Sequence, residues 1–400
     1  MGKNTDNFFK EKKEWSKIKD DILGFYLKPY FTIIQYTNKD IVYIDGFAGK
    51  GRFDDGTMGS PLIAYNVFNE IDSNIKIKFY FIENKYYNDL KENVKNFNYT
   101  EVIAGNYEDN IVNLINNNSG KNLFVYIDPF GIKNLNFSYL KSLNSSSLNS
   151  AEFLMNLNSF GFIREGCRIL KTQLKDVIID KEYDSFMDES DDFKEINSVE
   201  KMNNIAGGDY WQQIIKDHQE NKINGYEAEK LFVDSYCKKI RETGKFKYVI
   251  NIPIRTKAGS PPKYRMVFAT NHQDGVLLMN NNMANRFDDL LIIQKNGYES
   301  LFQENFENEF ITSDDIKHNI ISLLNDEYKN YYEIIIDYIY KFGIVKTKYL
   351  NDAIREFEKN NMIIIKREPP FTATGKKSQF ISPQKNQEVS IKLTGDIMYE

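Results

Sequence analysis

The chain holds only two cysteines, Cys167 and Cys237, and three histidines, His218, His272 and His318, in 400 residues. Structural zinc and iron–sulfur sites need clustered thiolates and imidazoles, so neither is expected and no metal is assigned. Long apolar runs are equally scarce. The richest, such as residues 362–365, are broken by charge within a few positions, far short of the ~20 residues that span a bilayer, and a soluble protein is expected. Lys3, Lys10, Lys12 and Lys13 open the chain without a following apolar stretch, so no secretory signal is expected and the location reads as cytoplasmic. Positive charge is not in excess either: the net charge is −5, and any nucleic-acid contact has to come from a local patch. Apolar residues, in contrast, make up 41% of the chain, enough to give cores to two or three domains of roughly 100 to 200 residues each. Disorder is thereby excluded as the main state.

The first 165 residues alternate short apolar runs with amphipathic segments, the pattern of an open, mostly parallel α/β sheet. Strands are expected at residues 40–45 (DIVYID), 76–83 (KIKFYFIE), 101–104 (EVIA), 122–128 (NLFVYID) and 151–157 (AEFLMNL), with a crossover helix over 61–71. Residues 166–245 lack strand signals and read as a helical insertion, with turns at Gly207-Gly208 and Asn224-Gly225. Strand character returns at 248–255 and 264–270, giving a sheet-closing antiparallel hairpin within 246–300 and a sheet of seven strands. From 301 to 400 the chain changes from acid-rich to base-rich. Thr347 can cap a helix carrying Leu350, Ile354 and Phe357, and a two-stranded wing with a Gly375-Lys376-Lys377 tip follows, which suggests a winged-helix domain.

After the first strand comes Asp45-Gly46-Phe47-Ala48-Gly49-Lys50-Gly51. Glycine lets a backbone turn sharply and approach a ligand, and the next helix offers unpaired N–H groups. A phosphate-binding loop is rejected because two residues, not four, separate Gly46 from Gly49, and Gly51 follows Lys50. The dinucleotide fingerprint is absent too, since the spacing is G-x-x-G-x-G. The form that remains resembles the S-adenosylmethionine loop of class I methyltransferases, with Asp45 facing the amino group of the methionine part. A ligand-free glycine-rich turn is the plain alternative. Glu83, closing the second strand, is placed to bind ribose hydroxyls, and Asn106 and Asp109 after the third strand are candidates for the adenine edge.

A second polar turn, Asp128-Pro129-Phe130-Gly131, ends an otherwise apolar strand. It resembles the D/N-P-P-aromatic turn of methyltransferases that modify an exocyclic amine, in which the acid accepts the amine's hydrogens and the ring stacks on the extruded base. Here Phe130 replaces the second Pro and Gly131 stands in the aromatic position. An ordinary turn, with Asp128 capping the next segment, is the alternative.

Lys19, Leu23, Tyr26, Leu27 and Tyr30 in an N-terminal helix, YIDGFAGKGRF, Gly59-Ser60-Pro61-Leu62, YIDPFG and FATNHQDGVLLM together resemble the three-Cys-motif partner (TcmP) family, from about Trp15 to Met283. The resemblance implies a Rossmann-like class I methyltransferase sheet and a separate partner protein carrying the three cysteines. Ser60 lies in a Gly-Ser-Pro similar to that of methyltransferases acting on adenine N6, which favours a nucleic-acid substrate.

The expected function is therefore methyl transfer from S-adenosylmethionine to a base of DNA or RNA. In this reading Asp45, Gly46, Phe47, Ala48, Gly49, Gly51, Glu83, Asn106 and Asp109 hold the cofactor. Asp128, Pro129 and Phe130 form the catalytic turn, and Ser60, Lys366, Arg367, Lys376 and Lys377 meet the substrate. Two alternatives stay open: a non-catalytic module that binds nucleic acid or a partner through the same scaffold, and a Mg²⁺-dependent phosphodiester enzyme built on Asp45, Glu83 and Asp128. Cys167 reads as a packed core residue.

Overall fold

The computed structural model describes residues 12, 14–71, 76–143, 147–175, 177, 196–254, 262, 264–296, 312–372, 374–383 and 387–394. The chain divides into two compact units, Met1–Gly275 with Leu290–Gln294, and Val276–Asp289 with Lys295–Glu400.

The first unit opens with helix α1 (Glu14–Ile34) and then alternates strands with crossover helices: β1 (Ile41–Asp45), α2 (Ser60–Asn69), β2 (Ile77–Glu83), α3 (Tyr87–Asn93), β3 (Thr100–Ala104), α4 (Tyr107–Asn116), β4 (Asn122–Ile127), α5 (Phe137–Leu143) and β5 (Ser150–Leu157). Helices α6 (Ser159–Ile169), α7 (Val199–Ala206), α8 (Tyr210–Gln219) and α9 (Gly225–Glu242) precede β6 (Tyr248–Ile254) and β7 (Tyr264–Thr270). The seven strands lie in the order β3-β2-β1-β4-β5-β7-β6; β1 to β5 are parallel, while β7 runs antiparallel to both β5 and β6. The chain moves outward from β1 to β3 and then returns to place β4 on the other side of β1. The strand order thus reverses between β1 and β4, and beyond the carboxyl ends at such a switch point is where sheets of this kind bind ligands.

Both faces of this sheet are covered, so β1 and β4 are buried along their whole length. One face carries Tyr43, Phe79, Phe81, Phe124 and Phe268, packed as an aromatic layer; Tyr43 stacks on Phe124 with ring centroids 5.9 Å apart. Helix α1 lies on that layer through Ile22, Leu23, Tyr26, Leu27, Tyr30 and Phe31, and the Tyr26 ring sits 4.9 Å from Phe268. Each such side chain contributes roughly 1.5–3 kcal/mol by burial. Mid-sheet, Glu152 accepts hydrogen bonds from Tyr26 Oη at 2.6 Å and Thr270 Oγ1 at 2.7 Å, and burial pushes its carboxyl up to about 7. The opposite face holds Val42, Ile44, Leu123, Val125 and Ile127 against α4 and the helices between β5 and β6. There Phe162 stacks on Phe232 at 4.0 Å, and Asn224 with Glu227 forms a capping box at the start of α9.

Side chains alternate across a strand, so Tyr43 and Asp45 share a face, as do Phe81 and Glu83, Tyr126 and Asp128, and Glu152 and Asn156. Four polar residues thereby end four strands on the face that α1 covers.

The second unit comprises Val276–Asp289 of α10 (Gln273–Asn296), then α11 (Ser313–Ile321), β8 (Lys329–Asn330), α12 (Tyr331–Phe342), α13 (Thr347–Lys359), β9 (Ile363–Glu368) and β10 (Glu388–Leu393). Its sheet has three antiparallel strands in the order β8-β10-β9 rather than the two expected. Leu350, Ile354 and Phe357 of α13 are buried as the spacing predicts. Thr347, however, is the first helical residue rather than the cap: its N–H and Oγ1 both donate to Asn281 Oδ1, at 2.9 and 2.7 Å. No helix among the described residues is long and apolar enough to cross a membrane.

Candidate functional site

The glycine loop after β1 is threaded between its neighbours. Gly46 N–H donates to Tyr126 O at 2.9 Å on the β4 side, and Ala48 N–H donates to Ile82 O at 3.1 Å on the β2 side. Gly49 and Gly51 take φ of +58° and +77°, which side chains rarely adopt. A Cβ on Gly46 would stand 2.6 Å from the Tyr107 ring, so glycine is required there by close approach. Gly59 N–H bonds Gly51 O at 2.8 Å and closes the loop just before α2 begins at Ser60.

Asp45 lies wholly buried beneath this loop and accepts from Ser60 Oγ at 2.6 Å and Phe47 N–H at 3.2 Å. Burial pushes its carboxyl up to about 7; the two donors oppose the shift, and the nearby Asp128 and Glu83 add to it. Ser60 is therefore tied to Asp45. Glu83, half-buried at the end of β2, accepts Gly49 N–H at 2.8 Å on Oε2, and Lys85 and Tyr86 N–H groups at 2.8 and 2.9 Å on Oε1. A carboxylate has about four lone-pair positions, so one remains on Oε2. Beyond β3, the exposed Asn106 accepts from Asn84 Nδ2 at 3.1 Å and donates to Asp109 Oδ2 at 3.3 Å, which leaves both candidate residues on an exposed rim.

Among the described residues, no N–H of the segment after Asp128 bonds its carboxylate. Its Oδ2 accepts from Lys19 Nζ at 2.6 Å and Tyr126 Oη at 3.4 Å, and its Oδ1 accepts from Asn156 Nδ2 at 2.6 Å. Lys19 comes from α1, is 4% exposed, and lies 5.2 Å from the Tyr264 ring centroid. Pro129 is buried, whereas Phe130 is 47% exposed. Nearby, Asp20 pairs with Lys12, and burial still pushes its carboxyl up to about 6. Lys12 also donates to Met58 O at 2.6 Å, linking the start of the chain to the 51–59 loop.

Lys19 belongs to the helix motif quoted above, but its partner could not be read from it. The sequence motifs include neither Asn156 nor Asp20. The signal for Asn156 is a polar residue on the same strand face as Glu152 at the end of an apolar run; for Asp20 there is none short of the folded helix. Among the described residues no group of three or more histidines, cysteines, aspartates and glutamates is placed to hold a metal ion. Cys167 and Cys237 are buried, and burial raises both thiols.

The four bases expected to meet the substrate, Lys366, Arg367, Lys376 and Lys377, do not form one face. Alternation along β9 turns Arg367 inward, where its guanidinium makes a bidentate pair with Glu358 at 2.8 and 3.0 Å and donates to Phe380 O at 2.8 Å. Lys366 points outward and pairs with Glu368 at 2.6 Å. Lys376 and Lys377 are exposed beside the Gly375 turn, which the Phe371–Lys377 bridge closes.

No family model and no curated protein matches the chain. Solved structures similar to it include methyltransferases. The CurJ carbon methyltransferase is 9% identical with a TM-score of 0.30, over 58% of this chain and 48% of that one, so the chain spans about half the length of that relative. A spermidine synthase from Thermotoga maritima is 10% identical with a TM-score of 0.30, covering 74% of this chain and 70% of that one. The plantazolicin methyltransferase BpumL, in complex with SAH, is 10% identical with a TM-score of 0.28, covering 64% of this chain and 85% of that one.

Proposed function

We propose that the chain is an S-adenosylmethionine-dependent methyltransferase acting on an exocyclic amine of a nucleic-acid base. The observation that carries this reading is the bond from Gly49 N–H to Glu83 Oε2, which joins the glycine loop to the acid of the neighbouring strand above the buried Asp45. The residues fit the group. Glu83 keeps one lone pair for a ribose hydroxyl while it shapes the loop, and the left-handed Gly49 and Gly51 keep side chains away from a ligand. Asp45, whose carboxyl is raised to about 7, is favoured in its ionised form by any positive charge laid on the loop. When bound, the cofactor supplies an activated methyl group, so the protein's task is positioning rather than nucleophilic catalysis. Asp128 orients the acceptor, and the exposed Phe130 ring stacks on it.

The second unit, with α11, α12 and α13 against the β8-β10-β9 sheet, supports a winged-helix reading in which Lys376 and Lys377 at the turn approach phosphates. Under the TcmP resemblance, a three-Cys-motif protein completes the functional assembly. The test is transfer of tritium from methyl-labelled S-adenosylmethionine to DNA and RNA, with and without that partner. Asp128→Ala is expected to lower transfer by roughly 10²-fold while leaving cofactor affinity unchanged. Full transfer by that variant removes Asp128 from the mechanism; cofactor binding without transfer to either nucleic acid favours the binding-module alternative.

A further inference from the structure

We infer that Asn156, at the end of β5, is a second substrate-reading residue, so that Asp128 and Asn156 together recognise both hydrogens of one planar primary amine. This rests on the methyltransferase reading for the identity of the site, but the recognition can be measured separately. Asn156 is 2% exposed, and its Oδ1 has no hydrogen-bond partner among the described residues. A buried amide oxygen left without a donor costs free energy unless something else satisfies it.

The orientation of this amide follows from its neighbour. Its nitrogen faces Asp128 Oδ1 at 2.6 Å; exchanging nitrogen and oxygen would set a carbonyl against a carboxylate oxygen. The Asp128 lone pairs can be assigned in the same way. Lys19 and Tyr126 occupy both positions on Oδ2, and Asn156 occupies one on Oδ1. One position remains, on the atom that touches Asn156. The two vacant acceptors are Asp128 Oδ1 and Asn156 Oδ1. They are separated by the 2.6 Å hydrogen bond and by the nitrogen-to-oxygen span of one amide, about 2.3 Å, hence by no more than about 5 Å. Two acceptors bonded to the hydrogens of one planar NH₂ stand about 5 Å apart, at the upper end of that range. Lys19 is a positioning residue in this arrangement: its ammonium fixes the carboxylate's rotation and leaves the vacant lone pair beside Asn156. An amine matches this pair, whereas a carbonyl oxygen would place a third acceptor against two. The exposed Phe130, two residues beyond Asp128, provides the flat surface that favours a ring-borne amine.

The test uses the full chain saturated with S-adenosylhomocysteine and four free bases as probes, with binding read by ligand-observed NMR. Cytosine and adenine should bind at least tenfold more tightly than uracil and hypoxanthine, their oxo counterparts. Asn156→Leu should reduce that preference to threefold or less while leaving S-adenosylhomocysteine affinity unchanged. Equal binding of amino and oxo bases to the wild-type chain overturns the inference, as does binding of none of the four or full discrimination by Asn156→Leu. The wild-type comparison stands even if the variant fails to fold. Calorimetry with S-adenosylhomocysteine on the same sample separates the two failures: cofactor binding without base discrimination overturns this inference alone. Absent cofactor binding overturns the methyltransferase reading, and the base comparison is then read on the unliganded chain.

Discussion

Replacing Glu83 tests whether one carboxylate both shapes the glycine loop and serves the cofactor. In Glu83→Ala the N–H groups of Gly49, Lys85 and Tyr86 lose their acceptor. Lys85 is exposed and water replaces its bond, but Gly49 and Tyr86 are buried. Hydrogen bonds to a charged acceptor contribute about 1.5–3 kcal/mol each, and water can enter around a half-buried site, so a total loss of about 2 kcal/mol is expected. Glu83→Gln keeps one acceptor oxygen, which can serve Lys85 and Tyr86, and sets its amide nitrogen against Gly49 N–H; about half the loss should follow. Urea unfolding of the three proteins gives these differences through their midpoints. Cofactor affinity should fall at least tenfold in Glu83→Ala, about 1.4 kcal/mol, because the hydroxyl acceptor and the loop geometry are lost together. A Glu83→Ala protein within 0.5 kcal/mol of wild type would refute the reasoning, since the three bonds would then hold nothing in place.

Three further outcomes follow from the site and the second unit. The Asp45 carboxyl is raised from 3.8 to about 7, so the folded chain keeps a proton that the unfolded chain has lost between those values. Its contribution to stability is therefore full below about pH 4 and is lost as pH rises to about 7, with a slope of up to about 1.4 kcal/mol per pH unit; Asp45→Asn should flatten unfolding curves measured from pH 5 to 8, and an unchanged slope would place the proton elsewhere. Gly46→Ala brings a methyl group 2.6 Å from the Tyr107 ring and should cost about 1–3 kcal/mol in urea unfolding, partly recovered by Tyr107→Leu; a variant as stable as wild type would contradict the close approach. Arg367→Ala should destabilise the second unit by breaking the Glu358 pair, whereas Lys376→Ala with Lys377→Ala should leave stability unchanged and reduce the salt dependence of nucleic-acid binding; the reverse pattern would show that the charges of β9, not the turn, meet the phosphates.

Much of the sheet could be read directly from the sequence, because strands buried on both faces appear as apolar runs and their carboxyl ends as abrupt polar residues. Asp45 and Glu83 were visible for that reason, and the observed strands start or stop within a residue of the expected ones, although Arg255 lies outside the described residues. The same runs could not show what a strand-ending acid touches. Lys19 reaches Asp128 across 109 positions, a contact that exists only once α1 lies on the sheet face. Ser60, read as a substrate contact, is bonded to Asp45, because α2 starts where the loop closes. In the second unit, counting bases gave a cluster of four, but strand alternation sends Arg367 inward and Lys366 outward. Thr347 has the chemistry of a cap, yet Asn281 takes its donors, and that pairing joins segments 66 residues apart.

Titration calorimetry of the purified chain with S-adenosylmethionine and S-adenosylhomocysteine tests the central claim most directly. The account predicts one micromolar site for each ligand, lost in Asp45→Ala and in Gly49→Trp, where a large side chain would have to adopt a φ of +58° inside the loop. Absence of heat with either ligand, or binding that survives both substitutions, would contradict it.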